Sequence, residues 1–492
     1  MHRLMRGESS LRCRLLLSAC FFIAARPVFA AIEIQTNKEA AVPVGVPTHH
    51  QKATLQVNSE GQPQAKVTCF CLTADGRILA GCTGTEGEIR VLDTEGKQAE
   101  SWKLPIKPEA IFGRPDGTVF IAGEGQLVKL SSDGKVLLTK QAPQTAALNE
   151  NPEKLREEVI TQAKEQVKQL AQQTEVYDKM IERADQEIAK LDEQLAAISN
   201  NAGPNDGTGA PRDKRRRPPS NTLMLEQRRG MYARQKEQYD QAKKQFAEIL
   251  GVRGTGELTE GQIDEQVKAS KAYKMKASSI SAVDEDVFLA THATFGYGFE
   301  VWRMDGNFDN PQKIVKDLSG CCGQMDVKAC KDGLFIAENS RHRVCRFDRD
   351  GKSILNWGQQ ARAGIEGFGS CCNPMNVAFG PGDAVYTAED DTGRIKRYSV
   401  DGKLLGLVGS VELKPGCKNC SIAVSGDGNQ VFMLDITRNL IVRLDARPSD
   451  EISADAKKLK KAPATPAAPN SNAGASSSLL LEGLKDVFSG NN

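Results

Sequence analysis

Two hydrophobic rhythms divide the chain. Over 66–147 and again over 276–449, short apolar runs alternate with acidic or glycine-bearing turns. The segments VTCFCLTADGRILAG (67–81), AIFGRPDGTVFIAG (110–123), ISAVDEDVFLAT (280–291), MDVKACKDGLFIAE (325–338), MNVAFGPGDAVYTAE (375–389) and SIAVSGDGNQVFMLD (421–435) align as strand, turn, strand. Most are followed by a third strand and a further turn, as in IRVLDTEG, LVKLSSDG, VCRFDRDG and IKRYSVDG. Asp-Gly between apolar runs signals a hairpin, because glycine accepts the positive φ of a tight turn. Between these regions, over 148–275, the period changes. Ala163, Val167, Leu170, Thr174, Tyr177, Ile181, Ala184, Ile188, Leu191, Leu195 and Ile198 are spaced four and three, a heptad seam. A second, shorter seam runs Leu225, Arg228, Tyr232, Gln235, Tyr239, Ala242, Phe246, Ile249.

Six units of about 40 residues, each offering up to four antiparallel strands, predict an all-β six-bladed β-propeller. The sixth unit shows only three strands. Ala53–Val57, ahead of the first unit, is a free strand that completes the sixth blade and closes the ring. Both ends of the insertion return to adjacent blades, so the seams predict an inserted α-helical coiled-coil hairpin, with 201–220 as its tip and a short third helix near 258–273. The alternative is an intermolecular coiled coil and a dimer. The resulting plan is 1–30 leader, 31–65 linker and ring-closing strand, 66–147 blades one and two, 148–275 hairpin, 276–449 blades three to six, and 450–492 low-complexity tail, with Ser478–Phe488 as a candidate terminal helix.

Blade five, from Pro374-Met375-Asn376-Val377 through DDTGRIKRYSVDG, resembles an NHL repeat, and blade four (MDVKACKDGLFIAENSRHRVCRFDRDG) is similar. The resemblance implies a propeller; it carries little about activity, because propellers host many. Propeller lactonases and peptide-amide lyases hold a divalent cation on acidic, amide or histidine ligands at the channel mouth. Glu109, Asp326, Asn373 and Asn376 occupy plausible positions here, without matching such an enzyme's motif residue by residue.

The first thirty residues read as an export signal: basic Arg3, Arg6, Arg12 and Arg14, an apolar run Leu15–Ala25, and Val28-Phe29-Ala30 as the cleavage site. Cleavage after Ala30 is preferred to lipid attachment at Cys20. A periplasmic or extracellular location follows, and no other stretch is long enough to span a membrane. With 65 Lys+Arg against 63 Asp+Glu, a net charge of +2 gives no footprint for nucleic acid. The run Lys214–Arg217 at the hairpin tip is read as a solvated loop, and the histidines, His49, His50, His292 and His342, as ordinary satisfied or surface residues.

Thirteen cysteines are the unusual feature. Cys321-Cys322 stand before Met325, Cys371-Cys372 before Met375, Cys417 and Cys420 before the inner strand of blade six, and Cys69 and Cys71 within that of blade one. These residues are expected around one mouth of the channel. Three readings stand: structural disulfides, with Cys71–Cys82 as one bridge; a copper or zinc site; or a redox-active thiol pair. The function expected is an exported, non-catalytic platform that binds a protein, peptide or surface ligand. A metal or thiol-redox protein is the alternative, and a metal-dependent hydrolase or lyase the third.

Overall fold

The computed structural model describes residues 43–461 except 59–60, 62, 202–219, 254–257, 362–363, 371 and 415–418. The leader, the basic tip Lys214–Arg217, the Ser478–Phe488 stretch, Cys371 and Cys417 lie outside the described residues.

Among the described residues, twenty-four strands form six four-stranded antiparallel sheets. Strand β1 (His49–Gln56) comes first. Blade one is β2 (Lys66–Leu72), β3 (Ile78–Thr83), β4 (Gly87–Leu92) and β5 (Gln98–Leu104). Blade two is β6 (Ala110–Gly113), β7 (Val119–Gly123), β8 (Gln126–Leu130) and β9 (Val136–Gln141). Blade three is β10 (Ala277–Val283), β11 (Asp286–His292), β12 (Phe299–Asp305) and β13 (Gln312–Leu318). Blade four is β14 (Asp326–Cys330), β15 (Gly333–Glu338), β16 (Arg343–Phe347) and β17 (Ser353–Trp357). Blade five is β18 (Asn376–Phe379), β19 (Val385–Ala388), β20 (Arg394–Tyr398) and β21 (Leu404–Ser410). Blade six takes β22 (Ile422–Val424), β23 (Gln430–Asp435) and β24 (Leu440–Ala446) from the end of the chain. Its outer strand is β1, paired antiparallel to β24 from His49↔Ala446 to Gln56↔Leu440. Inner strands of successive blades touch all round, and β2 meets β22. The fold is a six-bladed β-propeller.

Apolar clusters fill the spaces between blades rather than one central core. One joins Leu55, Val57, Ile78 and Leu92 to Phe432 and Ile441, across the closure. A repeated contact locks neighbouring blades. Trp102 on β5 lies against Gly134 in a turn of blade two, and Trp357 on β17 against Gly402 in the same turn of blade five. A Cβ at either glycine would come within 2.3 Å of the indole. Both also have φ above +80°, so the turn and the packing each call for glycine.

Helices fill the insertion. They are α1 (Pro143–Glu150), α2 (Pro152–Asn201), α3 (Ser220–Arg253) and α4 (Glu260–Lys274). Every residue of the first seam is buried or half-buried. Of the second, Arg228 is exposed and the described apolar members are half-buried. Helices α2 and α3 run antiparallel within the chain. Asp192–Arg229 (2.5 Å), Asp185–Lys236 (2.6 Å) and Asp178–Lys243 set the register. Tyr177 stacks on Phe246 with ring centroids 5.5 Å apart. Helix α4 begins with a capping box, Thr259 and Gln262 reciprocally bonded.

Two elements were not expected. Helix α1 begins at a proline suited to a first helical turn, and its Gln144 donates to the Met275 carbonyl at 2.9 Å. Helix α5 (Ser449–Lys461) occupies the start of the stretch read as tail. Arg447 ties it down, reaching Asp455 at 2.6 Å and the Pro47 carbonyl at 2.9 Å.

Candidate functional site

The connections entering the inner strands converge on one mouth of the channel, around a cavity of about 720 Å³. Cys69, Glu109, Cys322, Asp326, Asn376 and Cys420 line it, as expected for mouth residues. So do Lys66, Lys107, Lys276 and Lys328.

The polar candidates for a cation turn out to be staples between blades. Glu109 accepts the Ala277 amide of blade three at 2.8 Å. Asp326 bridges three blades, accepting the Ser279 hydroxyl at 2.6 Å and the Val377 amide at 2.8 Å. Asn376 accepts the Ile422 amide of blade six at 2.9 Å. The two remaining junctions, and that of blades three and four a second time, are also crossed by side chains. Asn439 accepts from the Val67 amide, Thr68 donates to the Pro108 carbonyl, and Ser278 accepts from the Met325 amide. A buried backbone N–H needs a partner, and strands of neighbouring blades share no ladder. Side chains meet that need at every junction but that of blades one and two, where Thr68 meets a carbonyl instead. Asn373 does not face the cation position. It ties its own loop together, accepting the Asp390 amide at 2.9 Å and donating to Gly369, Ser370 and Asp391. Sequence order alone gave no sign of these partners, because each lies in the next blade.

The cysteines separate into two groups. Those of blade one are dispersed. Cys71 lies opposite Leu79, three residues short of Cys82 on the same strand, and Cys82 lies opposite Val67. Cys71 packs toward blade two and Cys82 toward blade six, on opposite faces of the sheet. The expected Cys71–Cys82 bridge therefore does not form. Burial pushes both thiols up to about 12 and raises Cys69 as well. Such thiols stay protonated and pack as small apolar groups. The second group converges. Cys321 and Cys322 before β14, and Cys372 before β18, bring three sulfurs within 4.8 Å of one another. Met375 and Cys420 are buried in the apolar cluster that also holds Cys372 and receives Cys321. Met325 lies instead between blades three and four.

Two organising amides escaped the sequence reading. Asn339, wholly buried, accepts the Cys321 amide at 2.8 Å and donates to the carbonyls of Cys321 and Gln324. Gln324 clasps Cys420 across the mouth, donating to its carbonyl at 2.7 Å and accepting its amide at 3.2 Å.

His292 is more than a surface histidine. At the end of β11 it stacks on Tyr273 of α4 at 4.0 Å and faces Phe299 at 4.5 Å. Burial, with Lys274 and Lys276 adding to it, lowers its pKa to about 4. The folded state therefore holds it neutral while the unfolded chain protonates it near 6.5. Stability is full above pH 6.5 and falls as pH drops toward 4, by roughly 3 kcal/mol. His292→Phe keeps the stacked ring and removes the proton. Its midpoint in urea, measured from pH 7 to 4, is expected to lose less than that of the wild type. Parallel curves would contradict the assignment.

No protein-family model matches the chain, and no curated protein matches it significantly. Solved propellers resemble it loosely. Virginiamycin B lyase from Staphylococcus aureus aligns at TM-score 0.37 and 10% identity, over 79% of this chain and 83% of that one. The Pan2 WD40 domain of Neurospora crassa aligns at 0.39 and 9%, over 83% and 98%. Regucalcin, a calcium-binding protein from Agrobacterium tumefaciens, aligns at 0.39 and 11%, over 82% and 98%. At such scores these likenesses carry nothing about ligand or reaction.

Proposed function

We propose that the chain is an exported binding module, with a propeller of NHL type whose mouth receives a carboxylate-bearing segment of a protein or peptide. The observation that carries the reading is the lysine rim of the cavity. Lys66, Lys107 and Lys276 form no ion pair among the described residues, whereas Lys328 stands 3.7 Å from Asp326. Glu109, Asp326 and Asn376 spend oxygens on the ring itself, which favours binding over cation-dependent catalysis. The hairpin supports the same reading as a second contact surface. It is rooted on blade three, where Lys274 of α4 reaches Glu158 of α2 at 3.1 Å and the Gly296 carbonyl at 2.8 Å.

A fluorescently labelled Glu-rich octapeptide and its Lys-rich counterpart serve as probes in anisotropy. The acidic probe is expected to bind, to weaken with added salt, and to lose about tenfold or more in affinity when Lys66, Lys107 and Lys276 are all changed to Glu. Equal binding of both probes would contradict the proposal. Export is tested separately by N-terminal sequencing of protein recovered from the cell exterior, with Ala31 expected first.

A further inference from the structure

We propose that Cys321, Cys322 and Cys372 together hold one soft, thiophilic metal ion, Cu⁺ foremost, at the rim of the mouth. This inference stands independently of what the lysine rim binds.

The three sulfurs come from the connections of two different blades. Their separations are 3.5 Å (Cys321–Cys322), 3.1 Å (Cys322–Cys372) and 2.9 Å (Cys372–Cys321). None is a covalent bond, which would measure about 2.05 Å. Around an ion with metal–sulfur bonds of about 2.3 Å, sulfurs stand roughly 3.8–4.0 Å apart. The triangle therefore needs to open by about 1 Å at its tightest edge to admit one.

The donor set narrows the ion. Among the described residues, the group of ligand atoms is sulfur alone. Thiolates exclude Ca²⁺ and Mg²⁺, which take oxygen, and favour Cu⁺ or Zn²⁺. Structural zinc calls for a fourth ligand in a tetrahedron. Cu⁺ is satisfied by three soft donors, and the apolar cluster beside them, with the buried thioether of Met375, suits a soft ion further.

The loops are held in place without the ion. Cys322 has φ +56° and Ser370 φ +52°, so both connections pass through the left-handed region beside their cysteines. Asn339 grips the backbone of Cys321 at both ends and donates to the Met375 sulfur at 3.4 Å. The Ser370 hydroxyl accepts the Cys372 amide at 3.4 Å. Such outer contacts orient metal ligands. Burial is graded along the triad. Cys372 is buried, Cys321 half-buried, and Cys322 exposed on the cavity wall. The ion has a way in from the mouth and a dry far side.

The test uses the full chain, reduced and purified without oxygen, titrated with Cu⁺ against a chromophoric Cu⁺ chelator. Elemental analysis and thiol alkylation are run on the same sample. One Cu⁺ per chain is expected, protecting Cys321, Cys322 and Cys372 from alkylation. C322S, at the exposed position, should keep the wild-type melting curve and lower Cu⁺ affinity by about tenfold or more. C82S, buried on the far face of blade one, should leave the affinity unchanged. Sub-stoichiometric binding, equal affinity of C322S and C82S, or a disulfide within the triad that persists in the reduced folded protein would each overturn the proposal. Tight Zn²⁺ with no Cu⁺ uptake would overturn the choice of ion.

Discussion

Deleting residues 43–57 is expected to abolish cooperative folding of the propeller. The deletion removes β1, which meets β24 at seven paired positions. It also removes Leu55 and Val57, both essentially inaccessible, from the cluster that joins blades six and one. Arg90, itself buried, loses the Val57 carbonyl it holds at 3.2 Å. Two buried aliphatic side chains account for about 3–6 kcal/mol. Exposing the edge of β24 adds a row of unpaired amides open to other chains. A domain with about 5–15 kcal/mol in hand does not survive both. Circular dichroism during heating and light scattering measure the outcome. The expected result is a broad, early transition with aggregation. A truncated chain that melts as sharply and as late as the full one would show that the ring does not depend on this closure.

Glu389→Ala is expected to cost about 3–5 kcal/mol, the range for stranding one partner of a buried ion pair. Glu389 and Lys396 are both fully buried and stand 2.9 Å apart. The other oxygen of Glu389 takes Arg394 at 2.7 Å and the Gly369 amide at 3.1 Å. Without the carboxylate, Lys396 keeps, among the described residues, the Ile365 and Gly367 carbonyls and the rings of Phe368 and Tyr398. Burial already lowers the Lys396 pKa, with Glu389 opposing. Removing that opposition favours neutral lysine in the folded state. The unfolded chain then holds the extra proton, so stability rises with pH, and the deficit of the variant shrinks toward alkaline pH. Replacing both residues with Met should recover most of the loss, since apolar pairs of similar volume substitute well for buried charges. Urea unfolding at neutral and alkaline pH tests all three statements. A deficit that is constant with pH, or a double variant as weak as the single one, would contradict them. Glu338 with Arg343 and Asp435 with Arg438 are related pairs in blades four and six, each with a buried carboxylate and a half-buried arginine.

The blades were readable because each Asp-Gly turn and its flanking apolar runs are local signals. The ring-closing strand followed from counting, since the sixth unit lacked one. The paired helices followed from spacing alone; the residues of the first seam are buried or half-buried, while Arg228 of the second is exposed. The misses have two causes. Glu109, Asp326 and Asn376 have partners some 46 to 168 positions away. The pattern places such residues at the mouth but does not say what occupies their oxygens. The Cys71–Cys82 pairing failed because Cys71 faces Leu79, and Cys82, three positions further along that strand, lies on the other face of the sheet. Convergence of Cys321, Cys322 and Cys372 was foreseen as a neighbourhood. Asn339, which holds the backbone there, carries no signal in a loop that reads as ordinary turn.

The central claim is that the mouth of the propeller is the face that works. Hydrogen exchange of the full chain, with and without the acidic octapeptide, tests it most directly. The account predicts slowed exchange in the segments entering β2, β6, β10 and β14, which carry Lys66, Lys107, Lys276 and Cys322. Slowed exchange confined to α2 and α3, or none in any mouth segment at saturating peptide, would contradict it.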